Sequence, residues 1–282
     1  MIGSFVIVFR EILEAALVIT ILLAATRGLI GRNRWIGAGV SVGVIGAIIV
    51  AFFAGGIADA FEGIGQELFN AGVLFCAVLM LAWHNIWMSS HARELTANLK
   101  RVGNEVSAGD LPFYFLSVAA GLAVLREGSE IVLFLYGISA GGESVVQMAT
   151  GSVLGLAAGM VVGFFLYTGL LRIPTALLFR VTGWLILLLA AGMAATASGY
   201  LSQAGLLPSL KPLWNTSEFL SESSVVGQFL HVLIGYQARP TMIDLCFYFG
   251  TLILIGSGMY LVGKQKVGSS QVVKQSSAVP VN

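Results

Sequence analysis

Two short stretches hold the residues of this chain best suited to chemistry. Arg10-Glu11-Ile12-Leu13-Glu14 and Arg126-Glu127-Gly128-Ser129-Glu130 share one pattern, Arg-Glu-x-x-Glu, and each interrupts a long apolar run. Residues three and four apart share a helix face, so in each copy the two carboxylates and the guanidinium group are neighbours. A strongly polar residue at the centre of a membrane helix costs about 2.5–3.5 kcal/mol. A chain that accepts this cost twice, with the same residues at the same spacing, marks a functional site. Four carboxylates against two guanidinium groups leave an excess of negative charge that suits a multivalent cation. Carboxylate oxygens are hard ligands. They fit Mg2+, Ca2+, Mn2+ and iron, ferric iron above all, and do not fit Cu(I). The arginines would keep neighbouring glutamates ionised and temper their affinity, so that an ion can leave. A structural clamp between helices or a proton relay would use the same residues.

The elements that must position these groups are membrane helices. Of the 282 residues 57% are hydrophobic and only 10% charged, too little charge to clothe a soluble globule of this length. Mean hydropathy is +0.91. A net charge of +1 argues against nucleic acid as a partner. Cys76 and Cys246 both fall in apolar segments and read as small packing residues rather than a disulfide or metal motif. The N-terminus lacks a basic leader, and Arg10, Glu11 and Glu14 break its apolar run, so it reads as a retained first helix.

Seven apolar segments are long enough, at about 20 residues, to span hydrocarbon. They lie near 4–25, 35–57, 69–88, 112–139, 146–171, 176–198 and 241–263, and all six prolines fall at or beyond segment ends. The expected fold is an all-α integral membrane protein of seven transmembrane helices. Eleven basic residues lie in the loops after segments one, three, five and seven, against only Lys211 and Arg239 in the others. The positive-inside rule then puts the N-terminus outside and the C-terminus in the cytoplasm. Segments one to three and four to six become two inverted three-helix repeats, with segment seven as an extra helix. Segments one and four carry the charged motifs. Segments two and five carry the glycines: Gly39, Gly43 and Gly46 in one, Gly151, Gly155, Gly159 and Gly163 in the other. At 1.5 Å per residue both motifs land about 10–19 Å in from the outer surface, where they can face each other.

A single permease domain is expected over residues 1–263. Repeat one covers about 1–90, a cytoplasmic connector about 91–110 and repeat two about 111–200. An outer amphipathic segment follows over about 214–236, helical from Thr216 to Ile234, and the last helix over about 241–263. Residues 264–282 read as a disordered cytoplasmic tail. Asp59, Glu62, Glu67, Glu143, Glu218, Glu222 and Asp244 fall on the outer side, where they form either a solvated rim or an electronegative mouth that concentrates cations. Glu67, Glu62 and Asp59 are the candidates for receiving the ion there. His84 in segment three reads as a packed or hydrogen-bonded histidine rather than a ligand, because no second histidine lies at ligand spacing.

Arg-Glu-x-x-Glu in a first and a fourth helix of seven resembles the oxidase-dependent iron permease family, the fungal high-affinity iron permeases and the bacterial EfeU-type iron permeases. The resemblance spans the chain to about residue 263. Gln66-Glu67-Leu68-Phe69, Trp87-Met88 and Gly235-Tyr236-Gln237 before Pro240 are further family landmarks. The resemblance implies that Glu11, Glu14, Glu127 and Glu130 take iron, Fe3+ or Fe2+, as transported substrate, with Arg10 and Arg126 beside them. It implies no permanently bound cofactor, and an outer-side redox partner such as an oxidase, a cupredoxin or a peroxidase. The chain departs from the usual Arg-Glu-Gly-Leu-Glu in both motifs, has Asn70-Ala71 where relatives often carry Glu-Gly, and has the unusual His84. The expected function is a high-affinity iron permease of the plasma membrane, the inner membrane in a bacterium. The alternatives are a transporter of another divalent cation, Mn or Pb, or an intramembrane metal-dependent enzyme. The last is disfavoured because no nucleophile sits near either motif and the Glu-x-x-His pairs of di-iron sites are absent.

Overall fold

A computed structural model describes residues 1–60, 65–169, 175–221 and 224–276. Every regular element among them is helical: α1 Ile2–Ala25, α2 Arg32–Ala60, α3 Gln66–Ala108, α4 Tyr114–Ala140, α5 Val145–Thr168, α6 Thr175–Gln203, α7 Val225–Ile234 and α8 Met242–Ser276. The ends follow local chemistry. Gly109, at φ +87°, takes the left-handed conformation that closes α3, and its N–H bonds back to the Val106 carbonyl. Ser144 caps α5 and Ser224 caps α7, the latter accepting from the Gly227 N–H at 2.9 Å. At α8 the Thr241 hydroxyl accepts from the Asp244 N–H while the Asp244 carboxylate accepts from the Thr241 N–H, a reciprocal cap.

The helices define a multi-pass membrane protein. Arg32–Gly56, Gln66–Met88, Val145–Thr168, Arg180–Gln203 and Met242–Val262 are each long and apolar enough to cross a bilayer. Their outward faces are bare hydrocarbon: Phe52 is 79% exposed and Ile253 69%. Contiguous surfaces of this kind suit contact with lipid. α1, with 24 residues, and α4, with 27, have the length. Each also carries three charged residues, which sets them apart from the five apolar spans.

α1 and α4 meet at the centre. α5 covers one side of α1 and α2 one side of α4, while α3 and α6 pack against each other and against the central helices. Ile7, Leu74, Leu81, Phe134, Ile186 and Ala190 form a dry core between α1, α3, α4 and α6. Val18, Leu22, Ile36, Leu99 and Leu116 form a second core between α1, α2, α3 and α4. Glycine makes the close pairs possible. A Cβ on Gly155 would strike the Phe5 carbonyl of α1, and one on Gly43 the Gly121 carbonyl of α4.

Two boundaries differ from expectation, and the helix-compatible connector continues segment three. Segment three and the connector are one helix: α3 runs 43 residues, about 65 Å, roughly twice the hydrocarbon thickness. Nothing between Trp87 and Ala108 breaks a helix, and the extension gains partners at the end of α1, where Ser107 donates to the Ala25 carbonyl at 3.0 Å. The amphipathic helix is confined to Val225–Ile234. Thr216 is drawn out of it by bonds to the Ala238 carbonyl and the Tyr236 hydroxyl, and just before it the Leu213 N–H donates to the Pro240 carbonyl. α8 continues past residue 263 to Ser276, into the stretch read as tail, because no proline intervenes before Pro280. Residues 277–282 lie outside the described residues. α4 is unbroken along its length.

Candidate metal centre

Each motif copy folds on itself in the same way. Arg10 Nε lies 2.9 Å from Glu14 Oε1, and Arg126 Nε lies 3.0 Å from Glu130 Oε1. Each guanidinium group also reaches the first glutamate of its motif at 3.8 Å. These are the one-turn pairs that spacing dictates, with arginine four residues before its carboxylate.

Tertiary packing then joins the copies. Carboxylate oxygens of Glu11, Glu127 and Glu130 lie within 4.8 Å of one another, so both helices contribute to one cluster. Glu11, Glu14 and His84 form a second set within the same limit and share Glu11 with the first. The four glutamates singled out by sequence therefore converge, with Arg10 and Arg126 beside them. His84, on α3, was not expected there. Its Nε2 lies 3.6 Å from Glu14 Oε1 and its Nδ1 contacts Glu130 Oε2. The signal was faint: a histidine in an otherwise apolar span, next to Asn85, which donates to the Gly183 carbonyl of α6 at 3.0 Å.

The cluster is largely buried and under-satisfied. Arg10, Glu11, Glu14, His84 and Glu127 are all buried. Both oxygens of Glu11, Oε2 of Glu127 and Nε2 of His84 make no hydrogen bond among the described residues. Buried carboxylates without partners are costly, so this arrangement calls for positive charge. Two or more carboxylates with an imidazole constitute a donor set for a first-row transition ion.

The two copies differ in surroundings. The Arg10 side chain is 3% exposed and that of Arg126 37%. Arg126 stacks its guanidinium carbon 4.6 Å from the Trp87 ring centre and borders an open concavity of about 570 Å3, also lined by Leu79, Trp83, His84 and Glu130. Of the outer candidates, Glu67 is exposed in the first turn of α3, about 25 Å along that helix from His84. The side chains of Asp59 and Glu62 lie outside the described residues. Glu143 contacts the N-terminal ammonium group of Met1.

Long apolar helices define a multi-pass membrane protein, and the buried carboxylate–imidazole cluster at its centre is consistent with a metal-coordinating site. The chain belongs to the iron permease FTR1 family, whose pattern matches residues 1–268. It is 31% identical over 272 residues to the ferrous iron permease EfeU of Yersinia pestis, covering 94% of this chain and 95% of that one. It is 33% identical over 255 residues to the ferrous iron permease EfeU of Escherichia coli O6:H1, covering 88% and 91%. No solved structure matches the chain.

Proposed function

We propose that this protein is an iron permease of the plasma membrane that passes the ion through the cluster of Glu11, Glu14, Glu127 and Glu130. The observation that carries this reading is the meeting of both motifs at one buried, under-satisfied site on the central helices. The ion supplies the positive charge that the carboxylates lack. Arg10 and Arg126 each hold one glutamate by a single turn-spaced pair, which leaves the remaining carboxylate lone pairs for the ion and limits how tightly it is kept. The names of the relatives make ferrous iron the first ion to test. Mn2+ or Pb2+ as cargo is the second reading, because hard oxygen ligands discriminate weakly among such ions. An outer-side redox partner follows from the family resemblance alone.

In this reading α1 and α4 also cross the membrane, making seven spans, with the N-terminus outside. An internal symmetry supports two inverted repeats. Gly39 meets Ser117, Gly43 meets Gly121, and Ala47 meets Gly128, all between α2 and α4. Aligning Arg10 with Arg126 and Gly39 with Gly151 carries these pairs onto Gly151 with Met1, Gly155 with Phe5, and Gly159 with Ile12, which also touch. Such exchange of partners is what a two-fold axis between the repeats produces, and the count of basic residues in the loops favours an axis in the membrane plane.

The test is radioactive iron uptake into membrane vesicles at defined redox state, with competing Mn2+ and Pb2+. Glu→Gln at Glu11, Glu14, Glu127 or Glu130 should abolish uptake while the protein remains in the membrane. Normal uptake by correctly inserted Glu14→Gln and Glu130→Gln variants would rule out the four-carboxylate site.

A further inference from the structure

The four glutamates leave His84 without a role, although it is the one cluster residue contributed by a third helix. It is buried, and it stands between a glutamate of each motif. Its two nitrogens have different neighbours. Nδ1 contacts Glu130, which is itself held from its other oxygen by Arg126. Nε2 faces Glu14 Oε1 at 3.6 Å, too long for a hydrogen bond. Two donors bound to one ion at roughly 2.0–2.2 Å stand roughly 3.0–3.5 Å apart. The Nε2–Glu14 separation is thus close to that of two ligands on a shared ion. The buried carboxylate of Glu11, which Arg10 reaches only at 3.8 Å, completes the set within 4.8 Å.

We infer that His84 is a metal ligand of the transport site, giving its Nε2 lone pair to the ion beside Glu11 and Glu14, with Glu130 fixing the tautomer at Nδ1. This inference rests on the permease reading and deepens it. A carboxylate on the far nitrogen of a ligating histidine orients the ring and makes it a better donor. Here that carboxylate belongs to the second motif while two ligands belong to the first, so the imidazole links the copies. A nitrogen donor also changes selectivity. Imidazole favours ions such as Fe2+ over Mg2+ and Ca2+, which prefer oxygen throughout. Four carboxylates alone would not draw that distinction. His84 therefore acts as the filter that admits a first-row transition ion and passes over the abundant alkaline-earth ions.

The chain has three histidines, which makes the test direct. His91 Nδ1 lies 3.2 Å from the Trp87 carbonyl and His231 Nδ1 lies 2.7 Å from the Tyr236 carbonyl, both outside the cluster. The full-length protein in detergent is loaded with Mn2+ and examined by pulsed electron paramagnetic resonance, once with natural histidine and once with 15N-histidine. The bound ion should show nitrogen modulation that changes on 15N-histidine labelling. The modulation should persist in a His91→Gln/His231→Gln double variant and vanish in His84→Gln. Mn2+ affinity of His84→Gln should fall about 10–100-fold, with Ca2+ competing more effectively than in the unaltered protein. Tightly bound Mn2+ with no histidine modulation in the unaltered protein overturns the ligand role and leaves the carboxylate site standing. Modulation that survives in His84→Gln, or disappears in the double variant, also overturns it. Failure of the unaltered protein to bind Mn2+ or anaerobic Fe2+ at all overturns both this inference and the permease reading. The unaltered protein carries the decisive measurement, so a poorly folded variant does not block the test.

Discussion

The two arginines are equivalent in sequence and unequal in the fold, and their removal should reveal this. Replacing Arg10 with methionine keeps an unbranched, shorter side chain and removes its charge. Arg10 is 2% exposed, with Glu14 at 2.9 Å and Glu11 at 3.8 Å, both fully enclosed. Its loss strands two buried carboxylates, and breaking a buried ion pair from one side costs about 3–5 kcal/mol. Arg126 is 37% exposed on the rim of the concavity, and Glu130 keeps its contact with His84 when Arg126 is gone. Arg126→Met should cost about 1–2 kcal/mol, the scale of one charge-assisted hydrogen bond with part of its environment open. At about 2–4 °C per kcal/mol, Arg10→Met should lower the apparent unfolding temperature in detergent by roughly 6–20 °C, and Arg126→Met by roughly 2–8 °C. Added Mn2+ should recover more of the loss in Arg10→Met, because the ion replaces charge where the carboxylates are most buried. The assay is intrinsic fluorescence against temperature, with and without the ion. Equal losses, or a greater loss for Arg126→Met, would refute the claim that burial rather than motif position sets each arginine's contribution.

Other perturbations test other parts of the structure. Gly155→Leu forces a side chain into the Phe5 carbonyl and should cost at least about 1–3 kcal/mol, read as loss of monodisperse protein on size exclusion; Gly56→Leu, with open space around it, should be silent. Asp244→Ala removes the cap of α8 and the 2.7 Å bond from the buried Ser198 hydroxyl, and should lower stability by about 1–2 kcal/mol in the same thermal assay. In a background lacking Cys76 and Cys246, single cysteines beside Glu218 should react with an impermeant maleimide from outside, and those beside Arg101 should not; the reverse pattern would invert the proposed orientation. Arg10→Lys and Arg126→Lys should both slow iron uptake, since lysine keeps the charge but loses the planar fork; two silent variants would reduce the arginines to simple counter-charges.

What the sequence determined by itself is whatever depends on neighbours along the chain. Hydrophobic length marked the apolar spans, proline and glycine marked most of their ends, and a three-and-four spacing dictated the pairs of Arg10 with Glu14 and Arg126 with Glu130. Equal depth in segments one and four was enough to expect the four glutamates together, and Glu11 with Glu127 and Glu130 do share one cluster. The tertiary structure decided what depends on which helix faces meet. His84 belongs to the site because α3 turns that residue toward α1 and α4, and a lone histidine carries no such instruction in its local pattern. The connector became part of α3 because the end of α1 offered Ala25 as a partner for Ser107. The segment after Pro212 lost half its expected helix because Thr216 bonded to Ala238 instead. Arg10 and Arg126 differ for the same reason: periodicity fixes the angle at which a side chain leaves its helix, while only packing decides whether protein closes over it.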